Sequence, residues 1–349
     1  METKTKMMKK HKFGLVAGAL AFAFTSGLGA VGCGGGDLGG TGGTSGGGTG
    51  GSGSPGGSSG NLDAPCSAAM RVGGFSIQLI EMEGNAPYTS INGGVRNGVV
   101  PLDVWQQKGA EAGGCKLMVG PSLVCTTPCT SPQTCAGQNT CIDQPTLQSA
   151  GAVTLTGVGA SALTVNPVQN FYSNSLTNPY PPFSPGAAVH LAAAGATIPA
   201  FSFDAVGIEP LAFAGTNLVM TNGQDFAFTW TPPAAPGSAR IFVKAEIGHH
   251  GGVAAEIDCD LPDTGAGAIP SALVSALIAE GAHGFPTLSL TRRVVTSATV
   301  GAGCVDFALA APVERVIGVC TSASTCITSC STSADCASGK TCKDDFTCG

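Results

Sequence analysis

Charged side chains are scarce in this chain of 349 residues, since Lys, Arg, Asp and Glu make up 11% of it, against about 25% in ordinary soluble proteins. Acidic residues outnumber basic ones, 22 to 16. After the first twelve residues, Lys and Arg are scattered and do not cluster in any segment. A protein that tracks a nucleic-acid backbone needs such a stripe. We therefore expect no nucleic-acid partner.

The sequence also has few apolar runs, and the most prominent lies near the N-terminus. Five lysines precede Phe13, and the segment FGLVAGALAFAF follows them. A basic segment before roughly 7–15 apolar residues is typical of an export signal, whereas a membrane helix needs about 20. We therefore expect residues 1–32 to be a signal peptide. It holds five of the 16 basic and one of the 22 acidic residues, so the mature chain would carry a charge of about −10.

Small residues precede a cysteine in the segment Ala30-Val31-Gly32-Cys33. This segment resembles the lipobox of bacterial lipoproteins, although Ala30 stands where that family usually has Leu. The resemblance implies that Cys33 becomes the first mature residue and carries acyl chains, in which each buried methylene contributes about 0.8 kcal/mol. Gly34 follows the cysteine, which by analogy with lipoprotein sorting favours the outer membrane. In the alternative, a general signal peptidase cuts nearby and Cys33 stays an ordinary thiol.

A Gly- and Ser-rich stretch follows the cysteine and has almost no apolar side chain. Its 27 residues, 34–60, form a random coil with a reach of roughly 30 Å. We interpret residues 33–62 as a lipidated cysteine and a flexible linker that holds a folded body clear of a membrane. The linker and the cysteine-rich repeats below resemble those of bacterial surface lipoproteins and match no specific enzyme family.

Two later segments share the cysteine spacing C-x3-C-x5-C-x5-C. They are CTTPCTSPQTCAGQNTC, from Cys125, and CITSCSTSADCASGKTC, from Cys326. Neither contains a histidine, and exported proteins fold in an oxidising compartment, so we expect disulfides rather than zinc sites. They resemble short cysteine-rich units of bacterial surface lipoproteins, which implies an extracellular module without a specific activity.

The chain has 15 cysteines, and an odd number in an exported protein needs an explanation. Acylation of Cys33 leaves 14, enough for seven disulfides, but the spacing does not determine the pairing. The candidates outside the repeats, which we expect to cross-link the β-rich body, are Cys66, Cys115, Cys259, Cys304 and Cys320. The candidates inside the repeats are Cys125, Cys129, Cys135, Cys141, Cys326, Cys330, Cys336, Cys342 and Cys348.

Short strands separated by Gly, Pro, Asn and Asp are predicted across residues 75–320. In DFAFTW, the residues Phe226, Phe228 and Trp230 fall on one face, and RIFVKAEI alternates in the same way. The segment VVPLDVW is also predicted as a strand, and only PSALVSALIAEG predicts a helix. The expected fold is an all-β sandwich of immunoglobulin-like or jelly-roll type, with one short helix and disulfide-rich insertions.

The predicted organisation has a body and a C-terminal module after the linker. Residues 63–320 form the sandwich body, with a cysteine-rich insertion at 115–145, and residues 321–349 form a cysteine-rich module. In the alternative, the first cysteine repeat is the boundary between two β-domains.

Two clusters of side chains are candidate binding sites. The loop NFYSNSLTNPYPPF holds two of the three tyrosines, Tyr172 and Tyr180, beside asparagines that suit sugar or peptide contacts. Alternatively, these rings pack down on the sandwich. The second cluster is a candidate calcium or other metal site, although it lacks the EF-hand pattern and both of its segments also suit hairpin turns. Its residues are His249, His250, Asp258, Asp260 and Asp263.

No residue is assigned a catalytic role. The segment GTSGG lies in the linker, and GVGASA is not followed by a helix, so neither forms the site its pattern suggests. His190 lies in an apolar strand and is interpreted as structural. We expect a non-enzymatic binding or structural module in the outer membrane, facing the periplasm or the cell surface. Its partners would be the membrane and a cell-surface glycan or protein, with no cofactor unless calcium binds. The alternatives are an extracellular hydrolase with an unmarked active site and a calcium-dependent adhesin.

Overall fold

The computed structural model describes residues 64–349 except 83–84, 122, 175–177, 214–217, 236, 248–254, 282–285, 302, 323–324, 328–329, 331–332, 334–335, 337–338, 344–347 and 349. The described helices are a 3-10 helix (Pro101–Asp103) and α1 (Ser271–Ala279). The strands, numbered along the chain, are β1 (Arg71–Ile80), β2 (Tyr88–Arg96), β3 (Gln106–Ala112), β4 (Cys115–Val119), β5 (Gln133–Cys135), β6 (Cys141–Asp143), β7 (Leu147–Gln148), β8 (Val153–Thr156), β9 (Leu163–Val165), β10 (Tyr172–Asn174), β11 (Ala188–Ala193), β12 (Phe201–Val206), β13 (Val219–Thr221), β14 (Phe226–Thr229), β15 (Arg240–Glu246), β16 (Ala255–Pro262), β17 (Ala266–Ile269), β18 (Thr287–Val300), β19 (Gly303–Val316), β20 (Gly318–Ser322) and β21 (Thr325–Ile327).

A ten-stranded sheet forms the main layer of the molecule. Its strand order is β10-β2-β1-β19-β18-β15-β16-β4-β3, and β7 adds to β2. Neighbouring strands run antiparallel except β1 and β19, which are parallel. The longest pairing joins β18 and β19 along fourteen residues each, from Thr287 opposite Val316 to Val300 opposite Gly303. The parallel pairing of β1 with β19 joins the first strand of the body to one of the last.

A second, four-stranded sheet covers one face of the first, in the order β12-β11-β8-β9. The ring of Phe203 in β12 stacks on Phe307 in β19, with 5.9 Å between the ring centroids. Phe201 lies 5.8 Å from Phe75 in β1. Aromatic side chains from the two inner faces thus fill the space between the sheets, as expected for a sandwich. The predicted all-β sandwich with one short helix and many disulfides is confirmed.

The alternation of the sequence determines which side chains enter the core. In β15, the residues Ile241, Val243 and Ala245 are fully buried, and the residues between them point to the opposite face. In β14, Phe226 and Phe228 are buried as predicted. Successive side chains of a strand point to opposite faces, so this period of two gives each strand one apolar face for the core.

The helix prediction is confirmed, but one strand prediction is wrong. In α1, the residues Leu273, Val274 and Leu277 are buried, and the helix packs against β4 and β16. The segment VVPLDVW contains the 3-10 helix instead of a strand, and its Leu102 is exposed. Pro101 has no N–H to donate to a neighbouring strand, which disfavours a place within a sheet. Within the described residues, no helix is long and apolar enough to span a membrane.

Two disulfides cross-link the body. Cys66 bonds to Cys304 across a sequence separation of 238, and Cys115 bonds to Cys259 across 144. Cys115 lies in β4, so the insertion predicted at 115–145 leaves the sheet only after that strand. Cys320 was expected to cross-link the body, but it bonds to Cys326 and joins the adjacent strands β20 and β21. The sandwich itself is therefore held by two long-range cross-links.

The two cysteine repeats each contain two internal disulfides, and Cys326 of the second repeat bonds outside it, to Cys320. The first contains the pairs Cys125–Cys135 and Cys129–Cys141, and the second contains Cys330–Cys342 and Cys336–Cys348. The second and fourth cysteines pair in both repeats. The other pairings differ because the second repeat has additional partners in Cys320 and Cys348. All fourteen predicted disulfide cysteines are thus paired, which confirms the predicted disulfide framework.

The stacked aromatic pair predicts a large effect on stability. Phe203→Ala leaves a cavity between the two sheets and should reduce the free energy of unfolding by about 3–5 kcal/mol. Urea denaturation of the purified protein measures this change. Phe171→Ala is the matched control, because the Phe171 ring is exposed and its loss should change stability by less than about 0.5 kcal/mol. Equal effects of the two variants would contradict the packing described here.

Candidate functional site

The predicted aromatic recognition loop contributes one tyrosine to the core. Tyr172 is buried, and its ring lies 5.2 Å from that of Phe75. Its hydroxyl donates a hydrogen bond to Gly151 O at 2.7 Å and accepts one from the Ala150 N–H at 3.0 Å. Both hydrogen-bonding functions of the hydroxyl are therefore used inside the protein. The prediction that Tyr172 contacts a ligand is wrong, and the alternative of packing on the sandwich applies.

Tyr180 remains at the surface of the same loop. Its hydroxyl donates to Glu81 Oε1 at 2.5 Å, just beyond the end of β1. Burial and the Glu81 carboxylate raise the pKa of the Tyr180 phenol. The loop is attached to β2, since Thr89 Oγ1 donates to Pro179 O at 2.6 Å. Tyr180 packs partly against the core, and of the two predicted tyrosines it is the one that keeps part of its side chain at the surface.

The predicted metal-binding carboxylates do not share one site. Asp263 accepts hydrogen bonds from Trp230 Nε1 at 2.7 Å and from Arg292 Nε at 2.5 Å. Asp260 accepts a hydrogen bond from Arg240. Asp258, also on β16, is bonded to neither Arg240 nor Arg292. These pairings are structural, because each satisfied carboxylate neutralises a guanidinium.

Histidines cannot be placed beside those carboxylates, since His249 and His250 lie outside the described residues. Among the residues that are described, the groups of metal-ligating side chains within reach of one ion consist of disulfide-bonded cysteines, joined in one group by Asp306. A sulfur in a disulfide is not the thiolate that binds zinc. The calcium hypothesis thus gains no support from the described carboxylates.

Buried charges do come together on the outer face of the ten-stranded sheet, the face turned away from the four-stranded one. In β16, Ile257 and Cys259 point into the core, so Glu256 and Asp258 point outward, yet both carboxylates are buried. Lys244 and Glu246 stand opposite them on β15, Lys116 stands opposite Asp258 on β4, and Arg293 of β18 also interacts with Asp258 electrostatically. We call this group the Asp258 cluster; it consists of Asp258, Glu256, Lys244, Glu246, Lys116 and Arg293.

Lys244 is the centre of the cluster. Its Nζ lies 2.6 Å from Glu256 Oε2 and 3.6 Å from Glu246 Oε2, and Asp258 stands opposite it on β16. The ring of Trp105, from the connection between β2 and β3, has its centroid 5.9 Å from the same nitrogen. Trp105 thus shields part of the cluster from water. Exclusion of water strengthens each of these charge interactions.

The basic residues at the edge of the cluster are committed to other acids. Lys116, on β4, stands opposite Asp258, but its Nζ lies 3.5 Å from Glu111 Oε2. Arg293 lies 3.6 Å from Asp260, and its guanidinium carbon is 3.9 Å from the Phe242 ring centroid. Asp258 Oδ1 is buried and accepts no hydrogen bond from the described residues.

The electrostatics of the cluster follow from this geometry. Burial, together with the Glu256 carboxylate, raises the pKa of Asp258 to about 8, and Lys244, Arg293 and Lys116 oppose this shift without cancelling it. Burial lowers the pKa of Lys244, but the carboxylates of Glu256, Glu246 and Asp258 outweigh it and leave that pKa raised. At neutral pH Asp258 is therefore mostly protonated, and Lys244 is charged.

Sequence reasoning placed Asp258 in a turn and missed the cluster around it. The available signal was the alternation of charged and apolar residues in RIFVKAEI and AAEIDC, which are neighbouring strands. Asp258 was considered as a metal ligand, whereas Glu256 and Lys244 were not linked to it. The strand register, which puts Lys244 opposite Asp258, decides the contact.

A second polar group lies on the outer face of the four-stranded sheet. His190 Nδ1 lies 2.8 Å from Asp204 Oδ1 on β12, and Thr156 stands opposite His190 on β8. Residues directly opposite across antiparallel strands have Cβ atoms about 4.5–5.5 Å apart. His190 was interpreted as structural; its apolar neighbours Val189 and Leu191 point into the core, whereas 41% of its own side chain is exposed. The order carboxylate, imidazole, hydroxyl is that of a base-activated nucleophile, here on an open surface.

Comparisons with known proteins add little to these geometries. No family model matches the chain, and no curated protein matches it. Among solved structures, the FN1–FN3 domains of chicken CNTN1 match with 7% sequence identity and a TM-score of 0.19, covering 68% of each chain. A TM-score this low carries no argument about function.

The buried carboxyl predicts a pH dependence of stability. The folded protein keeps the Asp258 proton up to about pH 8, whereas the unfolded chain releases it near pH 4. The contribution of this proton to the free energy of unfolding is therefore complete below about pH 4 and is lost as the pH rises to about 8. Asp258→Asn is neutral throughout and should remove this slope, which is about 1.4 kcal/mol per pH unit. Urea denaturation between pH 5 and pH 8 measures it.

The control for this experiment is Asp204→Asn, because that carboxylate is 82% exposed. It should retain the slope of the unmodified protein. If Asp258→Asn also retained the slope, the assignment of the buried proton to Asp258 would be wrong.

Proposed function

We propose that the protein is an exported, lipid-anchored binding or structural module of the cell envelope, without enzymatic activity. The observation that carries the proposal is the pairing of the cysteines. The fourteen cysteines from Cys66 to Cys348 all bond to one another. The chain has 15, so Cys33 has no partner left within it. Acylation at the lipobox-like segment accounts for that single cysteine.

The number and position of the disulfides support export. Disulfides form and persist in oxidising compartments and are rare in the cytosol. The bond Cys66–Cys304 joins residues 238 positions apart, so it forms only when the ends of the body have come together. A chain that depends on such bonds needs a compartment in which they are stable.

The position of Cys66 supports the role of the preceding segment as a linker. Cys66 is fixed to β19 by its disulfide, and its N–H donates to Asp306 Oδ1 at 2.7 Å. Residues 33–62 end shortly before this fixed point. The body is thus attached at one definite position to a Gly- and Ser-rich segment whose reach is roughly 30 Å.

A surface for a glycan or protein ligand lies near the turn between β1 and β2. Tyr180 is held there by Glu81, and Tyr88 and Met82 are partly exposed beside the ends of the two strands. Aromatic faces next to a carboxylate suit sugar rings and peptide side chains. This edge supports a binding role in place of the contact first expected from Tyr172.

Intact mass of the protein purified from its own membrane, without reduction, tests the proposal. We expect a chain that begins at Cys33, carries acyl chains and lacks 14 hydrogens relative to the fully reduced form, two for each of the seven disulfides. The control is Cys33→Ser, which should remove the acyl mass and leave the disulfides intact. A lipid-free native protein with one free thiol would contradict the anchor.

One observation favours the alternative of an extracellular hydrolase. Asp204, His190 and Thr156 stand in register across three strands, in the order of a relay that draws a proton from a hydroxyl. Water reaches all three side chains on the open sheet face, which weakens each hydrogen bond of such a relay. The non-enzymatic role therefore remains our conclusion.

Hydrolysis of p-nitrophenyl acetate and p-nitrophenyl butyrate tests this alternative. We expect the protein to show no more activity than His190→Ala, because the row lies on an exposed surface. Ser202→Ala, on the same face of β12, controls for general effects of substitution there. An activity at least tenfold above background that His190→Ala abolishes and Ser202→Ala keeps would favour the hydrolase.

A further inference from the structure

The first folded residues are tied directly to the middle of the large sheet. Cys66 is bonded to Cys304, at the start of β19. Arg71 Nη2 donates to Cys66 O at 3.0 Å, and Arg71 Nε lies 2.8 Å from the fully buried Asp306 carboxylate. A pull on the preceding linker therefore reaches β19 through a covalent bond before it reaches β1.

The C-terminal module is attached to the other end of the same strand. Cys320 follows Cys304 by only 16 residues, and 12 of the intervening ones belong to the extended strand β19. Cys320 is bonded to Cys326, and Cys330 is bonded to Cys342. With about 3.3 Å per residue, β19 is roughly 45 Å long. The linker and the module thus leave the body at ends of β19 that are about 45 Å apart.

We call the disulfide Cys66–Cys304 together with strand β19 the β19 link. We propose a further function for it: the β19 link transmits mechanical load from the C-terminal module to the linker. Residues 67–303 form a loop closed by Cys66–Cys304 and lie outside the loaded path. The loaded strand is already extended, and pairing with β1 and β18 on its two sides holds it straight. The body is an almost inextensible link.

The length that the chain gains under load depends on whether Cys66–Cys304 is intact. Without Cys66–Cys304, and with Cys115–Cys259 still closing 144 residues, 110 of the 254 residues between Cys66 and Cys320 would extend to roughly 37 nm at 3.3–3.6 Å per residue. With Cys66–Cys304 intact, only the segment between Cys304 and Cys320 is free to extend, and it gains about 1 nm beyond its folded length. Cys66–Cys304 thus reduces the possible gain in length from roughly 30 nm to about 1 nm.

The biological use of the link rests on the proposed function, since load arises when the linker is held at a membrane while a partner holds the module. The mechanical property rests on the disulfides alone. A lipid-free protein in the mass measurement would contradict the anchor and leave the mechanical inference intact.

Single-molecule pulling of the full mature chain tests the inference. One handle is attached to a tag inserted in the Gly- and Ser-rich linker, and the other to a tag after the C-terminus. Under oxidising conditions, we expect the unfolded protein to extend by no more than a few nanometres beyond the handles and linker. Cys66→Ser/Cys304→Ser should release an additional length of about 30 nm, because Cys115–Cys259 still closes 144 of the 238 residues in the loop.

The matched control is Cys115→Ser/Cys259→Ser, which removes a cross-link inside the closed loop and off the loaded path. It should keep the short extension. If the Cys66→Ser/Cys304→Ser variant does not fold, a thiol reductant added to the unmodified protein under load is the second test. It opens Cys115–Cys259 as well, so we expect an added extension of roughly 80 nm. An extension of tens of nanometres by the unmodified, oxidised protein would overturn the inference.

Discussion

The pairing of β1 with β19 is the contact on which the large sheet depends. It is the junction between the strands β10, β2 and β1 on one side and the strands from β19 to β3 on the other. Without it the ten-stranded layer would be two smaller sheets. The contact closes a loop of more than two hundred residues, and closing a flexible loop has an entropic cost that grows with its length. Cys66–Cys304 fixes the same closure covalently at the end of the pairing.

A chain with few charges still buries several of them, and each buried charge has a definite partner. Arg292 is almost fully buried and donates to Asp263 and to the carbonyl oxygens of Pro210 and Thr231. Asp306 is held by Arg71. Such pairs add little net stability, but breaking one by removing a single partner is costly. The Asp258 cluster differs, because protonation of one carboxyl replaces a missing partner.

Patterns within one segment were sufficient for the local structure. Alternation identified the buried faces of β14 and β15, and a proline start with a glycine stop identified α1. VVPLDVW failed because its apolar spacing suits a strand while Pro101 cannot pair in one. Contacts between distant segments were not predictable, since the spacing of cysteines is compatible with many pairings and only strand register brings Lys244 beside Asp258 or His190 beside Asp204. Tyr172 was misplaced for the same reason: its hydrogen-bond partners come from another segment.

The closed loop from Cys66 to Cys304 also affects how the protein responds to proteases. A single cut anywhere between these residues, including the insertion after β4, leaves both pieces covalently joined through the disulfide. Such a nicked molecule remains one covalent unit, so one cleavage there does not separate the body from the chain that precedes it. The Gly- and Ser-rich segment lies before this closed loop in the sequence. A single cut that separates the whole body from the N-terminal residues therefore has to occur before Cys66.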